Sequence, residues 1–309
     1  MLAALCLSAL VLAVMMASMK LSLDISSGGA QALCSAVFLC GGIRYHYRSA
    51  TFGRARATRD FAEYTGIFII IALLCATASY PIAAASQGFT DPLLARLDGL
   101  MYFNWLDWYQ MVAGNRMLQI AGRAAYANIY FSPLLLIATF AITGERSRAE
   151  WFLISFWLGA IMTLLLFLAM PAVGPLSYLW DRPIPYMPTS GTFQADLLPP
   201  LRGQIFGAID LGNLQGLVCA PSFHTTSAIL YIAAAWKHRL LHWPVLALNL
   251  AMLVATPVEG THYLTDMIGG AGVAFAALVL IRLALGSPER DWSNSRHLKE
   301  KLAILKTKW

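Results

Sequence analysis

The sequence predicts an all-α integral membrane protein with about eight transmembrane helices, a helical core and capping loops on its outer side. Of the 309 residues, 58% are hydrophobic and only 12% are charged, and the mean hydropathy is +0.61. A water-soluble domain carries about 25% charged residues. So large an apolar excess is typical of helices that face lipid, where each backbone group must be hydrogen-bonded inside the protein. The composition also excludes a disordered chain and a disulfide scaffold.

Eight apolar runs are candidates to cross a hydrocarbon core of about 30 Å as helices. The sixth is short, and the first resembles a signal peptide. It has no positive charge before Lys20, however, so we expect a membrane helix there. The runs fall near residues 2–19, 27–43, 61–84, 125–143, 151–170, 222–236, 241–258 and 265–286. Together they predict one polytopic domain over residues 1–309.

The positions of Lys and Arg predict that both termini lie on the cytoplasmic side of the membrane, because cytoplasmic loops hold these residues in excess. Sixteen of the 22 fall in segments on that side, including residues 287–309, which we expect to form a basic amphipathic tail on the inner surface. The short chain and the lack of sorting signals favour a bacterial inner membrane with a periplasmic site. The other six basic residues are Lys20, Arg96, Arg116, Arg123, Arg182 and Arg202.

Two outer segments are too long to be simple turns. Residues 85–124 contain the aromatic stretch 102–109, which favours a helix at the lipid headgroups or, alternatively, a contact with substrate. Residues 171–221 are rich in Pro and Gly, as expected of a folded loop that caps a site. The net charge of +6 is spread between apolar runs, so no nucleic-acid partner is expected. The five cysteines show no disulfide or metal spacing.

Two histidines lie where outer loops meet predicted helices. His224 stands at the mouth of the sixth helix and His262 at the mouth of the eighth, four residues before Asp266. Ionisable residues at such positions are functional by default, because burial without a partner is costly. The spacing allows the Asp266 carboxylate to orient His262 as a nucleophile, although a purely structural hydrogen bond would have the same spacing. Pro221 and Ser222 predict a helix start that can hold an anion.

These residues resemble the superfamily of type 2 phosphatidic acid phosphatases, which are lipid phosphatases and phosphotransferases. Its second motif is P-S-G-H, and residues 221–224 read Pro-Ser-Phe-His. Its third motif, S-R-x5-H-x3-D, ends as His262-x3-Asp266 does, and Gly270 follows where the family has a small-residue pair. The order of the motifs and their separation also agree. The resemblance covers residues 170–272, the region that carries the predicted catalytic motifs.

The chain also departs from the family pattern. Thr256 stands where the third motif has Arg, and Ala255 replaces its Ser. The first motif, K-x6-R-P, has at best Arg182-Pro183, with Pro175 in the place of Lys. We therefore predict that Arg182 or Arg202, or alternatively Arg116 or Arg123, binds the phosphate together with Ser222. The Pro-Ser-Phe-His form, the region 91–108 and the loop 171–175 are more similar to the branch of inositol phosphorylceramide synthases, which act in sphingolipid metabolism.

The resemblance implies a metal-independent enzyme without a cofactor. His262 would attack phosphorus to form a phosphohistidine, Asp266 would hold its other nitrogen, and His224 would act as general acid and base. The implied substrate is a phospholipid or prenyl phosphate, and the acceptor is water, a lipid or a polyol. One alternative is an intramembrane metal enzyme with Glu259, His262, Asp266 and His224 as ligands. The others are a transporter, a flippase, a non-catalytic scaffold or an inactive family member.

Overall fold

The regular structure of the protein is almost entirely helical. The computed structural model describes residues 1–205 and 207–285, and the predicted tail at residues 287–309 lies outside them. The described helices are α1 (Leu2–Ser18), α2 (Gly28–His46), α3 (Gly53–Ala85), α4 (Asp91–Leu100), α5 (Trp105–Ala113), α6 (Arg116–Tyr126), α7 (Asn128–Thr143), α8 (Arg146–Ala169), α9 (Pro175–Leu179), α10 (Phe193–Arg202), α11 (Phe223–Ala235), α12 (His242–Glu259) and α13 (Leu264–Leu285). Two strands, β1 (Ser22–Asp24) and β2 (Ala208–Asp210), and a 3₁₀ turn (Leu211–Asn213) complete the described elements.

Each of the eight predicted apolar runs coincides with a helix, namely α1, α2, α3, α7, α8, α11, α12 and α13. Among the residues that the structure describes, four helical stretches are long and apolar enough to cross a membrane: Gly53–Ala85, Arg116–Thr143, Arg146–Ala169 and Leu264–Ala284. The second of these joins α6 and α7. Helices α1 and α11 are apolar but shorter. Eight crossings therefore stay a prediction, whereas four candidate spans follow from length and composition alone.

Helix α3 begins at Gly53, well before the apolar run that starts near residue 61. Charged side chains in its first turns find partners close by: Arg59 lies 2.6 Å from Asp60, and Glu63 lies 3.0 Å from Arg44 of α2. Hydropathy detects only the apolar part of a helix. Ion-paired residues at its end extend the helix beyond the stretch that the pattern predicts.

The two short strands are a departure from the all-α prediction. They pair in parallel, with Ser22 opposite Ala208 and Asp24 opposite Asp210. The adjoining Ser27 accepts a hydrogen bond from the Ala30 backbone at the start of α2, and its hydroxyl donates to Asp210 at 2.5 Å. Strands of three residues are too short to show an alternating pattern. The pairing ties the chain between α1 and α2 to the capping segment 171–221.

Helix α11 lies at the centre of the bundle, against α7, α8, α12 and α13. Its approach to α13 depends on Gly270, because a Cβ there would collide with the backbone carbonyl of Ser222. The Thr226 hydroxyl donates to the Gly270 carbonyl at 2.9 Å across the same contact. Small residues allow helix backbones to approach closely. Gly270 therefore sets the distance between the two helices that carry the candidate site.

Gly270→Ala should destabilise the protein by about 1–3 kcal/mol, because the added methyl group forces α11 and α13 apart. Gly272→Ala is the matched control, since a Cβ at Gly272 meets no atom within 4 Å among the described residues. Thermal unfolding in detergent measures both variants. We expect a lower melting temperature for Gly270→Ala alone, and equal melting temperatures for the two variants would contradict this view of the helix contact.

Candidate active site

His262 is held by the first turn of α13. Its Nδ1 lies 2.9 Å from Oδ1 of Asp266, and both side chains are buried. The other carboxylate oxygen of Asp266 accepts a hydrogen bond from the Tyr263 backbone N–H at 2.8 Å, as the third residue of a helix does in a capping box. His262 itself precedes the helix. The structure thus brings the predicted pair together: one carboxylate oxygen of Asp266 holds the His262 ring, and the other holds the backbone next to it.

Helix α4 anchors the backbone around His262 through two buried carboxylates. Asp98 accepts hydrogen bonds from the backbone N–H groups of Leu264 and Thr265, at 2.9 and 2.8 Å. These donors at the start of α13 have no partner within their own helix, and the helix dipole favours negative charge there. Asp91 accepts a hydrogen bond from the Tyr263 hydroxyl at 3.0 Å and also binds the backbone of residues 173 and 174. Burial and the nearby Asp91 raise the pKa of the Tyr263 phenol.

His224 lies in the first turn of α11, next to His262. The two ring centres are 6.1 Å apart, with the planes at 58°. Nδ1 of His224 lies 3.2 Å from the hydroxyl of Tyr126, whose ring stacks on the imidazole with 4.1 Å between centres. Within the described residues, no hydrogen-bond partner is found for Nε2 of either histidine. In both rings the Nδ1 atom is engaged, so Nε2 is the atom available for chemistry.

Ser222 links the two helices that carry the histidines. Its backbone N–H donates to the Asp266 carbonyl at 3.0 Å, and its side chain accepts from the Thr225 N–H at 3.3 Å. Ser222 is therefore the N-cap of α11 and is completely buried. A direct contact of this hydroxyl with phosphate, which the sequence predicts, stays a prediction.

A comparison with protein families decides the family. The model described as PAP2 superfamily matches residues 92–280, more than half of the chain, and covers the elements from α4 to most of α13. The chain belongs to the PAP2 superfamily. Neither the search of curated proteins nor that of solved structures found a match. Members of this superfamily are generally phosphatases or phosphotransferases, so membership indicates an enzyme that acts on a lipid or another phosphate-containing substrate.

The two arginines that the sequence ranks highest as substitutes for the PAP2 motif cations have other partners among the described residues. The Arg182 side chain is 76% exposed and lies 3.6 Å from the Asp181 carboxylate. Arg202 donates to the Ser86 hydroxyl and to the Gly88 carbonyl, each at 2.9 Å. Among the described contacts, neither guanidinium reaches the two histidines, Asp266 or Ser222. Sequence position alone did not reveal these competing partners.

Arg123 of α6 is connected more closely to the site. Its Nε donates to the Tyr186 hydroxyl at 2.9 Å, and the Tyr186 hydroxyl donates to Oε1 of the buried Glu259 at 2.5 Å. Burial and the hydrogen bond to Glu259 raise the pKa of Tyr186 to about 12, so this phenol stays protonated at neutral pH. Arg123 precedes Tyr126 by one helical turn. Among the described residues that are predicted to lie on the outer side, it is the arginine that hydrogen bonds connect to the wall of the candidate site.

Two side chains of the aromatic stretch 102–109 pack against other parts of the protein. Trp105 and Tyr109 are buried and stack on each other with 5.0 Å between ring centres. The Trp105 indole donates to the Pro257 carbonyl at 2.7 Å, and the Tyr109 hydroxyl donates to the Tyr186 carbonyl at 2.7 Å. These two rings therefore pack inside the protein, and the position of the segment at the lipid headgroups stays a prediction. A spacing of four residues on α5 places both on the face that meets α12.

The set of residues predicted for the metal-enzyme alternative does not assemble. Glu259 accepts hydrogen bonds from Tyr186 and Thr189 instead. A different group, Cys219, His262 and Asp266, has ligand atoms within 4.8 Å of one another. The His262 and Asp266 atoms are already joined by a hydrogen bond, and burial raises the pKa of the Cys219 thiol well above its ordinary value. In this structure the group contains an oriented histidine, and metal independence stays a prediction.

Proposed function

We propose that this protein is a membrane lipid phosphotransferase or phosphatase that works through a phosphohistidine on His262. The observation that carries the proposal is the pair of imidazoles, with ring centres 6.1 Å apart and each Nδ1 engaged by a neighbouring side chain. This arrangement presents one nitrogen as a nucleophile and one as a proton donor to the same phosphoryl group. Membership of the PAP2 superfamily supports the same chemistry.

In the first step, the lone pair of His262 Nε2 forms a bond to phosphorus, and the bond from phosphorus to the leaving oxygen breaks. Asp266 accepts the Nδ1–H hydrogen bond and stabilises the positive charge that develops on the ring. Protonated His224 donates the proton of Nε2 to the leaving oxygen, so that the leaving group departs as an alcohol. The carboxylate changes neither partner nor protonation state.

The second step reverses these roles. An acceptor hydroxyl gives its proton to His224 Nε2 and bonds to phosphorus, and the phosphorus–nitrogen bond breaks and returns its electron pair to His262. Water as the acceptor makes the protein a phosphatase, and a lipid hydroxyl makes it a transferase. The deep burial of His262 favours transfer, because a site closed to bulk water protects the phosphohistidine from hydrolysis. Resemblance to the inositol phosphorylceramide synthase branch supports headgroup transfer between lipids.

The negative charge on the phosphoryl oxygens needs a counter-charge near α11. Backbone N–H groups at the start of this helix and the Ser222 hydroxyl supply part of it in the proposal. Arg123 supplies the cation, because its guanidinium belongs to the network that borders the site. The roles predicted for Arg182 and Arg202 are retained as the alternatives.

The proposed topology places this chemistry at the outer face of a bacterial inner membrane, with eight crossings and the site facing the periplasm. The ends of α3, α8 and α12 are connected to the segments near them at one end of the bundle, because the Thr90 N–H donates to the Pro171 carbonyl and the Ser190 N–H donates to the Glu259 carbonyl. Ion pairs of Arg44 and Arg146 with Glu63 lie at the other end. The excess of Lys and Arg in the segments of that second end supports its cytoplasmic orientation.

A labelled-lipid assay in EDTA tests the proposal. The substrates are phosphatidic acid, a prenyl diphosphate, and phosphatidylinositol with ceramide, each labelled in its phosphate. We expect the wild type to move label onto a second lipid, and free labelled phosphate would establish the phosphatase alternative instead. The exposed His46 at the end of α2 provides the control variant His46→Ala, which should act as the wild type does. Absence of turnover, or turnover that EDTA abolishes, would contradict the proposal.

A further inference from the structure

Tyr126, at the end of α6, is the side chain that holds His224. The two rings stack at 19° with their centres 4.1 Å apart, and the phenol oxygen lies 3.2 Å from Nδ1 of the imidazole. Only 6% of Tyr126 is exposed. None of the sequence motifs reaches α6, so this residue has no assigned part in the chemistry. Its contact with His224 has the same form as that of Asp266 with His262, namely an oxygen atom on Nδ1.

The Tyr126 hydroxyl has a second partner, which lets it serve both protonation states of the imidazole. The Ser190 hydroxyl lies 3.0 Å from the phenol oxygen. When His224 is protonated, Nδ1–H donates to Tyr126 and the phenol donates to Ser190. When His224 has given up its Nε2 proton, Nδ1–H keeps the same hydrogen bond to the phenol oxygen, and the lone pair of Nε2 is free to accept a proton. In both states Nδ1 is held by Tyr126, and Nε2 is the atom at which the reaction exchanges its proton.

The position of Tyr126 is fixed from two sides. Ser190 donates its backbone N–H to the Glu259 carbonyl at 2.8 Å, so its hydroxyl is anchored to the end of α12. On the other side, a Cβ on Gly260 would lie 3.1 Å from Cε2 of Tyr126 and 2.6 Å from Cδ2 of His262. The Tyr126 ring thus fills the space between Gly260 and His224, and α6 has little freedom to move it.

We infer that Tyr126 is the positioning residue of the general acid: it engages Nδ1 of His224, so that Nε2 delivers the proton to the leaving oxygen and later takes one from the acceptor. This inference rests on the proposed function. The step balances because the proton that leaves Nε2 in the first half-reaction returns to Nε2 in the second. Tyr126 itself neither gains nor loses a proton over the cycle.

Tyr126→Phe tests the inference, because it keeps the stacked ring and removes only the hydroxyl. The assay uses the lipid that the wild type turns over and its 4-nitrophenyl counterpart, in which nitrophenol replaces the lipid alcohol as the leaving group. Nitrophenolate leaves without protonation, so a general acid contributes little to its departure. We expect kcat for the lipid to fall about tenfold with KM within about twofold, and the initial release of nitrophenol to change by less than about twofold.

Further variants distinguish a failure of the positioning role of Tyr126 from a failure of the proposed function. Tyr130→Phe, at an exposed position one turn further along the same helical stretch, should leave both substrates unaffected. Ser190→Ala should reduce kcat for the lipid in the same selective way but less strongly. Equal losses on both substrates for Tyr126→Phe, or no loss, would overturn the positioning role while leaving the proposed function intact. Wild-type activity in His262→Ala would instead overturn the proposed function, and the inference with it.

Discussion

His262→Ala should lower turnover of the labelled lipid by more than about 10⁴-fold. In the proposed mechanism the variant removes the atom that bonds to phosphorus, and the buried Asp266 carboxylate next to it does not replace that atom. The measurement is the initial rate in EDTA, with protein reconstituted at the same density as the wild type.

A control for folding is needed because His262 is only 2% exposed and its loss leaves a cavity. His262→Gln fills most of this space and can still donate a hydrogen bond to Asp266, but its amide is not a nucleophile. We expect His262→Gln to unfold close to the wild-type temperature and to be as inactive as His262→Ala. A His262→Gln protein that keeps substantial activity would refute nucleophilic catalysis by this residue.

His224→Ala should lower steady-state turnover of the lipid by about 10²- to 10⁴-fold, the range typical of general acid–base catalysis. The variant should still attack the 4-nitrophenyl counterpart, whose leaving group needs no proton. Because the acceptor then lacks its base, the second step becomes slow. We therefore expect a burst of nitrophenol close to one equivalent of enzyme, followed by a slow steady state.

The double variant His224→Ala with His262→Ala is the control for this burst and should show none. Stopped-flow absorbance records both proteins under the same conditions. If His224→Ala gives no burst while its lipid turnover is lost, then His224 acts before or during the attack in some other way, and its assigned role is wrong.

Local sequence patterns predicted the features of the site that are set by neighbours in the chain. The separation of four residues between His262 and Asp266 corresponds to their hydrogen bond, although His262 lies just before α13 rather than inside it. Pro221 and Ser222 predicted the start of α11, and Ser222 is its N-cap. The eight runs of apolar residues coincide with the helices α1, α2, α3, α7, α8, α11, α12 and α13. Such features depend on periodicity and capping, which a single sequence contains.

The hydrogen bonds and ring contacts that hold the site residues in place join parts of the chain that are far apart in sequence. No local sequence pattern contains such contacts. Asp98 binds a backbone group 166 residues away, and Tyr126 meets His224 across 98 residues. The burial of Trp105 and Tyr109 was not predicted, because composition does not show which face of α5 meets α12. Arg182 was favoured for its Arg-Pro sequence, yet its described ion pair is with its neighbour Asp181. The parallel strand pair was missed for the same reason, since its partners are 186 residues apart.

Capture of the covalent intermediate tests the central claim most directly. Wild-type protein is mixed with lipid labelled in its phosphate, quenched in alkaline detergent during turnover, and digested for mass spectrometry. Phosphohistidine survives alkali and is lost in acid, which distinguishes it from phosphoserine. We predict an acid-labile label on the peptide that contains His262, absent from His262→Ala and increased in His224→Ala with the 4-nitrophenyl substrate. A label on another residue, or turnover with no label on the protein in any of these samples, would contradict the account.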